Sequence, residues 1–405
     1  MKKLHRSNPV NILWLKIHRT VVPALLRFGQ PLVIARRWLR PQKIPLCRVE
    51  PTAKDDQPPL AILCSGASEH KNFFLNRAFA GSRRELNLGK AKLRDIFRSG
   101  FAGNKNCSLV AIETNQTHFL WLQQEGWFFM PVWVQGGVHL PLAEVITKNE
   151  SVKSDQRKIK RNGLEYLITH DKAHFHDFYH EMHIPFIQKT HGDEAMFDSY
   201  AEKRAQCENY DLLLVHKKDR PDYTIAGMLI VYEPAGPRLW SLGVRQDGED
   251  YVRQGILPAL YSFSFAHLSQ RHSWVSLGSS RAFLHDGVLN FKRKFLLAIT
   301  AGSWNGFALK ITALTPATKS FLLKNPFIFQ TENALHAAVF TEEKISAETI
   351  QRWHKEYFYS GLKHLVIHSF RDDETFSPVA LPPALAGCVT IRRLGEWFKE
   401  PRHLP

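Results

Sequence analysis

Between Leu277 and Phe295 the chain reads Leu-Gly-Ser-Ser-Arg-Ala-Phe-Leu-His-Asp-Gly-Val-Leu-Asn-Phe-Lys-Arg-Lys-Phe. Ser279, Ser280 and Arg281 place two hydroxyls and a guanidinium in one turn. That set suits a phosphate or a polar acceptor, because Arg offers a two-pronged fork that Lys lacks. His285 and Asp286 follow as an adjacent titratable pair. A reaction that deprotonates a nucleophile needs a base placed beside it. His285 with Asp286 is the candidate for the proton step. Each residue also has a plainer reading. Asp286 can cap the helix that follows by accepting free backbone N–H groups. Lys292, Arg293 and Lys294 can close its last turn against the helix dipole.

A second basic element lies at 151–163, which reads as a short helix with Gly163 as its C-terminal cap. Arg157, Lys158 and Arg161 are its candidate anion contacts; a solvated surface helix is the other reading. Six histidines (His170, His174, His176, His180, His183, His191) crowd the stretch beyond it. His176 and His180 have i, i+4 spacing, but no H-E-x-x-H is present, and no metal site is assigned.

The elements that must position these groups follow from periodicity. From residue 164 the expected series is a strand (164–169), a helix bent at Pro185 (172–189) and a second helix (193–206). Strands follow at 210–216, 224–232 and 238–244, then a long helix (258–270) and a strand (274–277). The short helix after Asp286 and a closing pair of strands (295–300, 307–312) complete it. The order is β-α-α-β-β-β-α-β-α-β-β. Upstream, strands are expected at 60–64 and 108–112, a basic helix at 83–99 and a hairpin over 118–138. The expected divisions are an arm and Pro-rich linker (1–59), a first half (60–150), a second half (151–312) and a C-terminal strand–helix–strand extension (313–405).

Charge is uneven. The net formal charge is +16, yet residues 1–43 hold ten Lys and Arg and no acid, leaving 44 Lys+Arg against 38 Asp+Glu, or +6, for the rest. Trp14, Ile17, Leu25, Leu26 and Trp38 interleave with those cations, a pattern suited to an anionic membrane surface, to RNA phosphates, or to packing on the protein's own body. No run of eighteen apolar residues occurs, so no transmembrane span is expected. Cys47, Cys64, Cys107, Cys207 and Cys388 are dispersed with no C-x-x-C, which fits a reducing cytoplasm rather than a disulfide framework.

The element order is similar to that of the GNAT-type N-acetyltransferase fold. Residues 154–193 resemble the linking region of FemAB-like aminoacyl and acyl transferases, where a basic helix leads into a strand and a helix bearing Asp-Phe-Tyr, here Asp177-Phe-Tyr179. Residues 277–295 resemble a second signature of that family. The resemblance covers roughly 150–300 and implies an α/β, mixed-sheet, GNAT-like fold of two related halves. It implies transfer of an acyl or aminoacyl group to an amine on a cell-envelope or polysaccharide precursor. The donor is then acyl-coenzyme A or aminoacyl-tRNA. A phosphate-bearing donor or acceptor and a cytoplasmic site, peripheral to the membrane through the arm, complete the expectation. The alternative is a catalytically degenerate member that binds nucleic acid or membrane through that arm. Coenzyme A sites of this fold use a Gly-rich loop before the long helix. Arg245 and Gly248 occupy the matching positions, but Asp247, Glu249 and Asp250 oppose an anion there.

Overall fold

The computed structural model describes residues 43–52, 60–66, 68–99, 106–122, 126–143, 148–192, 198–246, 249–331, 334–371 and 381–394. The arm expected over 1–43 lies outside them save for Lys43, as do Asp247 and Gly248. The described chain divides into two compact units, 138–278 and 43–137 with 279–394. The architecture is α/β with mixed sheets in both.

The unit 138–278 is built on the strands Leu164–Thr169, Tyr210–Lys217, Arg220–Glu233, Gly236–Val244 and, as far as Gly278, Trp274–Arg281, side by side in that order. The first four run antiparallel to their neighbours, and the last pair is parallel. The strand Tyr210–Lys217, second in that order, is buried along nearly its whole length, as a run of Leu-Leu-Leu-Val demands. Phe175, Phe178, Met182, Leu212, Leu214 and Leu229 form one core under it. The expected bent helix is three segments: Lys172–Asp177, a π-helical turn Phe178–His183, and Ile184–His191 with Pro185 in its first turn. Pro lacks an N–H, so it is tolerated there and not further inside. The second helix is shorter than expected, Tyr200–Ala205, and the long helix is Ile256–Leu268.

The other unit carries a ten-stranded sheet. Its order is Val389–Arg393, Leu362–Ser369, Leu335–Thr341, Phe327–Gln330, Trp127–Pro131, Asn305–Ile311, Leu109–Asn115, Ile62–Ser65, Lys43–Pro51 and Arg83–Lys92. Four sequence expectations change here. The linker expected through 59 begins with a strand, Lys43–Pro51, because Leu46 and Val49 are buried and Pro45 sits at a β-bulge, where its missing N–H costs no ladder bond. The basic helix expected over 83–99 is the edge strand Arg83–Lys92 followed by a helix, Leu93–Ser99. The expected hairpin is absent: Trp127–Pro131 pairs with Asn305–Ile311, whereas Trp133–His139 pairs with Ala298–Ala301. The closing strands therefore separate, and Asn305–Ile311 joins the ten-stranded sheet between Leu109–Asn115 and Trp127–Pro131. The strand–helix–strand segment (Leu335–Thr341, Ala347–Tyr357, Leu362–Ser369) extends this sheet by parallel pairing.

Candidate functional site

In the unit 138–278 the strands Gly236–Val244 and Trp274–Arg281 share one registered pair, Arg238 with Ser276. The pairing ends where the first strand carries a bulge. Leu239 faces Ile230 and Ser241 faces Leu229, which leaves Trp240 as the extra residue. A bulge re-aims side chains and frees a backbone group from the ladder. Around it lie polar groups that are rare in a core. Lys203 is 3 % exposed; its Nζ donates to Ser241 Oγ at 2.8 Å and stands 4.2 Å from the Trp240 ring centroid. Burial lowers the Lys203 pKa, and Asp198, 3.9 Å away, partly offsets that. His183 is buried with Nδ1 2.8 Å from the Leu242 carbonyl. Burial, and then the charge of Lys203, push its pKa down to about 4.

Gly243 lets this strand pass the π-helical turn. A Cβ there would stand 2.5 Å from the backbone of both Met182 and His183. A cavity of about 390 Å³ opens at the carboxyl end of the strand, lined by Phe186, Lys189, Thr190, Val244, Arg245 and Arg253 among others. Arg245 borders it, but its fork is occupied. Nη2 donates to Asp177 Oδ2 at 2.5 Å, Nε donates to the Thr224 carbonyl at 2.6 Å, and the guanidinium lies over Tyr223. Asp250 forms an exposed ion pair with Arg253 at 3.0 Å. Gly248, the other expected cofactor contact, lies outside the described residues.

The basic helix forms as expected, Glu150–Arg161, with Val152 and Ile159 buried. Arg157 and Arg161 are exposed, and Arg157 stands 3.9 Å from Glu150. Lys158 lies beside the start of the long helix: a Cβ on Gly255, the left-handed N-cap of Ile256–Leu268, would sit 3.2 Å from Lys158 Cβ. Gln156 Nε2 donates to Ser262 Oγ and Asn162 Nδ2 to the Gln254 carbonyl, fixing the basic helix beside that N-terminus.

Ser279, Ser280, Arg281, His285 and Asp286 belong to the other unit. Ser279 Oγ accepts from Gln135 Nε2 at 2.9 Å. Ser280 is 3 % exposed, and its Oγ accepts from Lys292 Nζ at 3.2 Å; the same ammonium donates to the Ser279 carbonyl at 2.9 Å. Lys292 is itself 3 % exposed. Burial pushes its pKa down to about 8, against the pull of Asp286. Arg281 stacks between aromatic rings, 3.7 Å from the Trp133 centroid and 4.3 Å from that of Phe73, with Nη1 3.3 Å from His70 Nδ1.

Asp286 adopts the capping reading. Its Oδ1 accepts from the Leu289 N–H at 2.9 Å and its Oδ2 is 3.7 Å from Arg77. His285 has both ring nitrogens engaged, Nδ1 at 3.0 Å from the Lys324 carbonyl and Nε2 at 3.0 Å from Tyr357 Oη. With Nδ1–H given to a carbonyl, Nε2 accepts from the phenol, so this imidazole joins two helix ends instead of presenting a lone pair.

Sequence reasoning missed Lys203, the Trp240 bulge and the inward turn of Lys292. Only the last left a signal: Lys292 follows the buried Leu289 at i+3, which places it on the buried face of its helix.

No family model matches the chain and no curated protein matches it. Among solved structures, L-PGS from Bacillus licheniformis is similar at 10 % identity with a TM-score of 0.32, over 66 % of this chain and 82 % of that one. FemX is similar at 9 % identity with a TM-score of 0.31, over 65 % and 83 %. A GCN5-related N-acetyltransferase from Kribbella flavida is similar at 8 % identity with a TM-score of 0.26, over 70 % and 59 %.

Proposed function

We propose that this protein is an N-acyltransferase or aminoacyltransferase whose donor lies along the strand Gly236–Val244. The observation that carries the reading is the loss of pairing with Trp274–Arg281 after Arg238, coincident with the bulge at Trp240 and followed by the 390 Å³ cavity. A gap between two parallel strands admits an extended donor, and a bulge supplies a backbone N–H that no ladder partner claims.

In this mechanism the amine lone pair attacks the donor carbonyl carbon, and the C=O π electrons move to oxygen. The oxyanion is met by the bulge amide and by the positive charge of Lys203 next to Ser241. Collapse re-forms the carbonyl and expels the donor's thiolate or ribose alkoxide, while the amine proton leaves to a base and is returned to the leaving group. His285 is not assigned as that base, because Tyr357 and Lys324 hold its ring.

The donor we favour is aminoacyl-tRNA. Asp177 neutralises Arg245, the one described residue of the expected pyrophosphate loop match, whereas the exposed Arg157 and Arg161 beside the long helix suit a phosphate backbone. An amine of an envelope or polysaccharide precursor is the acceptor class. Incubating the protein with labelled aminoacyl-tRNA or acetyl-coenzyme A and a panel of amines tests this. Amide formation from the tRNA donor, reduced on the order of 100-fold by Lys203→Met at unchanged melting temperature, is the expected result. Transfer from acetyl-coenzyme A alone would overturn the donor choice. Transfer from neither would overturn the enzymatic reading.

A further inference from the structure

The cysteines look dispersed in sequence, but two of them meet. Cys47 on Lys43–Pro51 and Cys64 on Ile62–Ser65 are Cα partners across an antiparallel pair. Their sulfurs stand 3.0 Å apart, and both residues are free thiols. Cys47 follows directly on the bulge between Pro45 and Cys47, and it is half-buried, whereas Cys64 is buried. We propose that Cys47 and Cys64 form a redox-active dithiol that reacts with small-molecule disulfides, with Cys47 as the attacking sulfur and Cys64 as the resolving one.

The asymmetry of the pair sets the roles. The side-chain contact with Cys64, in which either sulfur can donate, lowers the Cys47 pKa; burial opposes this, the ammonium of Lys71 lowers it further and the charge of Glu85 opposes, so that the net shift of Cys47 is downward. Lys71 is held by Glu85 at 2.8 Å. Cys64 is shifted upward, first by its contact with Cys47 and then by burial. The thiolate is the nucleophile in exchange, so Cys47 reacts first. The other thiols offer no such arrangement. Cys107 and Cys207 are buried, and Cys388, though half-exposed, is shifted upward by burial.

The chemistry balances without a further reagent. The Cys47 thiolate attacks one sulfur of R–S–S–R, forming Cys47–S–S–R and releasing RS⁻. Cys64 then gives up its proton to that thiolate and attacks the Cys47 sulfur, which forms the Cys47–Cys64 bond and expels the second RS⁻. Two cysteines lose two electrons, and one small disulfide becomes two thiols. The product ties the strand Lys43–Pro51 covalently to Ile62–Ser65.

The test uses the full chain, reduced, desalted and titrated with glutathione disulfide, then acid-quenched, alkylated and mapped by peptide mass. The expected wild-type result is loss of two free thiols and a single cross-linked peptide joining Cys47 to Cys64. Cys64→Ser should instead accumulate glutathione on Cys47. Lys71→Met should slow oxidation several-fold without changing which cysteines are joined. Wild-type protein that shows no Cys47–Cys64 link across the titration, or that takes glutathione first on Cys388 or Cys107, overturns the proposal. An unchanged rate in Lys71→Met overturns the assignment of Cys47 as the activated thiolate. The wild-type map decides even if a variant fails to fold.

Discussion

Lys292 shows what one residue can hide. Its sequence position near a helix end suits the dipole, and that is how the neighbouring Arg293 and Lys294 are also placed by sequence. Its spacing from Leu289 turns it inward, where it holds Ser279 and Ser280 from a site 3 % exposed. A buried ammonium is costly, and among the described residues no carboxylate pairs with it at ion-pair distance. The sign of the pH effect follows. The folded pKa, about 8, lies below the ordinary lysine value of 10.5, so between these values the unfolded chain holds the extra proton and stability rises with pH. Lys292→Met should therefore raise stability at pH 7 by on the order of 3 kcal/mol, less whatever the abandoned serine groups cost. It should also abolish the rise between pH 8 and 10. Denaturant unfolding of both proteins at pH 7 and 9.5 checks this; a variant less stable at pH 7 would mean that the hydrogen bonds outweigh the buried charge. Asp286, by contrast, was legible from sequence as a cap, because capping depends only on local chain order. The catalytic reading of His285 was not decidable there, since Lys324 and Tyr357 are remote in sequence.

Among elements, the strand Gly236–Val244 carries the proposed donor site, and Gly243 is its tightest point. A methyl there would collide with backbone rather than with a yielding side-chain tip. Gly243→Ala should destabilise by roughly 1–3 kcal/mol or more, and should disturb the cavity below it. Gly287→Ala is the control: nothing lies within 4 Å of its Cβ, its φ is not left-handed, and a helical position gains from the lost chain freedom. The expected change is neutral to about 1 kcal/mol stabilising. Thermal melts of the two variants give the comparison, and equal melts would remove the close-approach account. The element order from 164 to 301 was readable because each strand and helix has its own apolar period. The bulge at Trp240 was not, because a bulge is defined by the partner strand's register, which no local pattern records. The strand Arg83–Lys92 was misread as a helix for a related reason. It is an exposed edge with little apolar alternation, so its identity comes from pairing with Lys43–Pro51.

At the scale of the whole molecule, the fold class was legible and the strand partnerships were not. Pairings such as Asn305–Ile311 with Leu109–Asn115 join segments nearly 200 residues apart, and loop composition says nothing about them. Those long-range pairings bury histidines in both units, and this gives a global property. His183 in one unit, and His336 and His368 in the other, are buried, and burial pushes their pKa values down to about 4, 4 and 3. In the unfolded chain a histidine titrates near 6.5. Above that pH both states are neutral and the stability is fully present. As pH falls below about 6.5 the unfolded chain takes up protons that the folded chain refuses, so stability is lost until the folded values near 3–4 are reached. Each histidine contributes up to about 1.4 kcal/mol per pH unit in that window. Denaturant midpoints should hold steady from pH 8 to 7 and then fall steeply toward pH 4.5. Because His183 and the other two lie in different units, His183→Gln should flatten the fall only for probes in 138–278, and His336→Gln only for probes in the other unit. Hydrogen exchange read separately over the two units distinguishes them. A stability that stays level down to pH 4.5 would mean these imidazoles accept protons in place, and that their burial is looser than the strands around them imply.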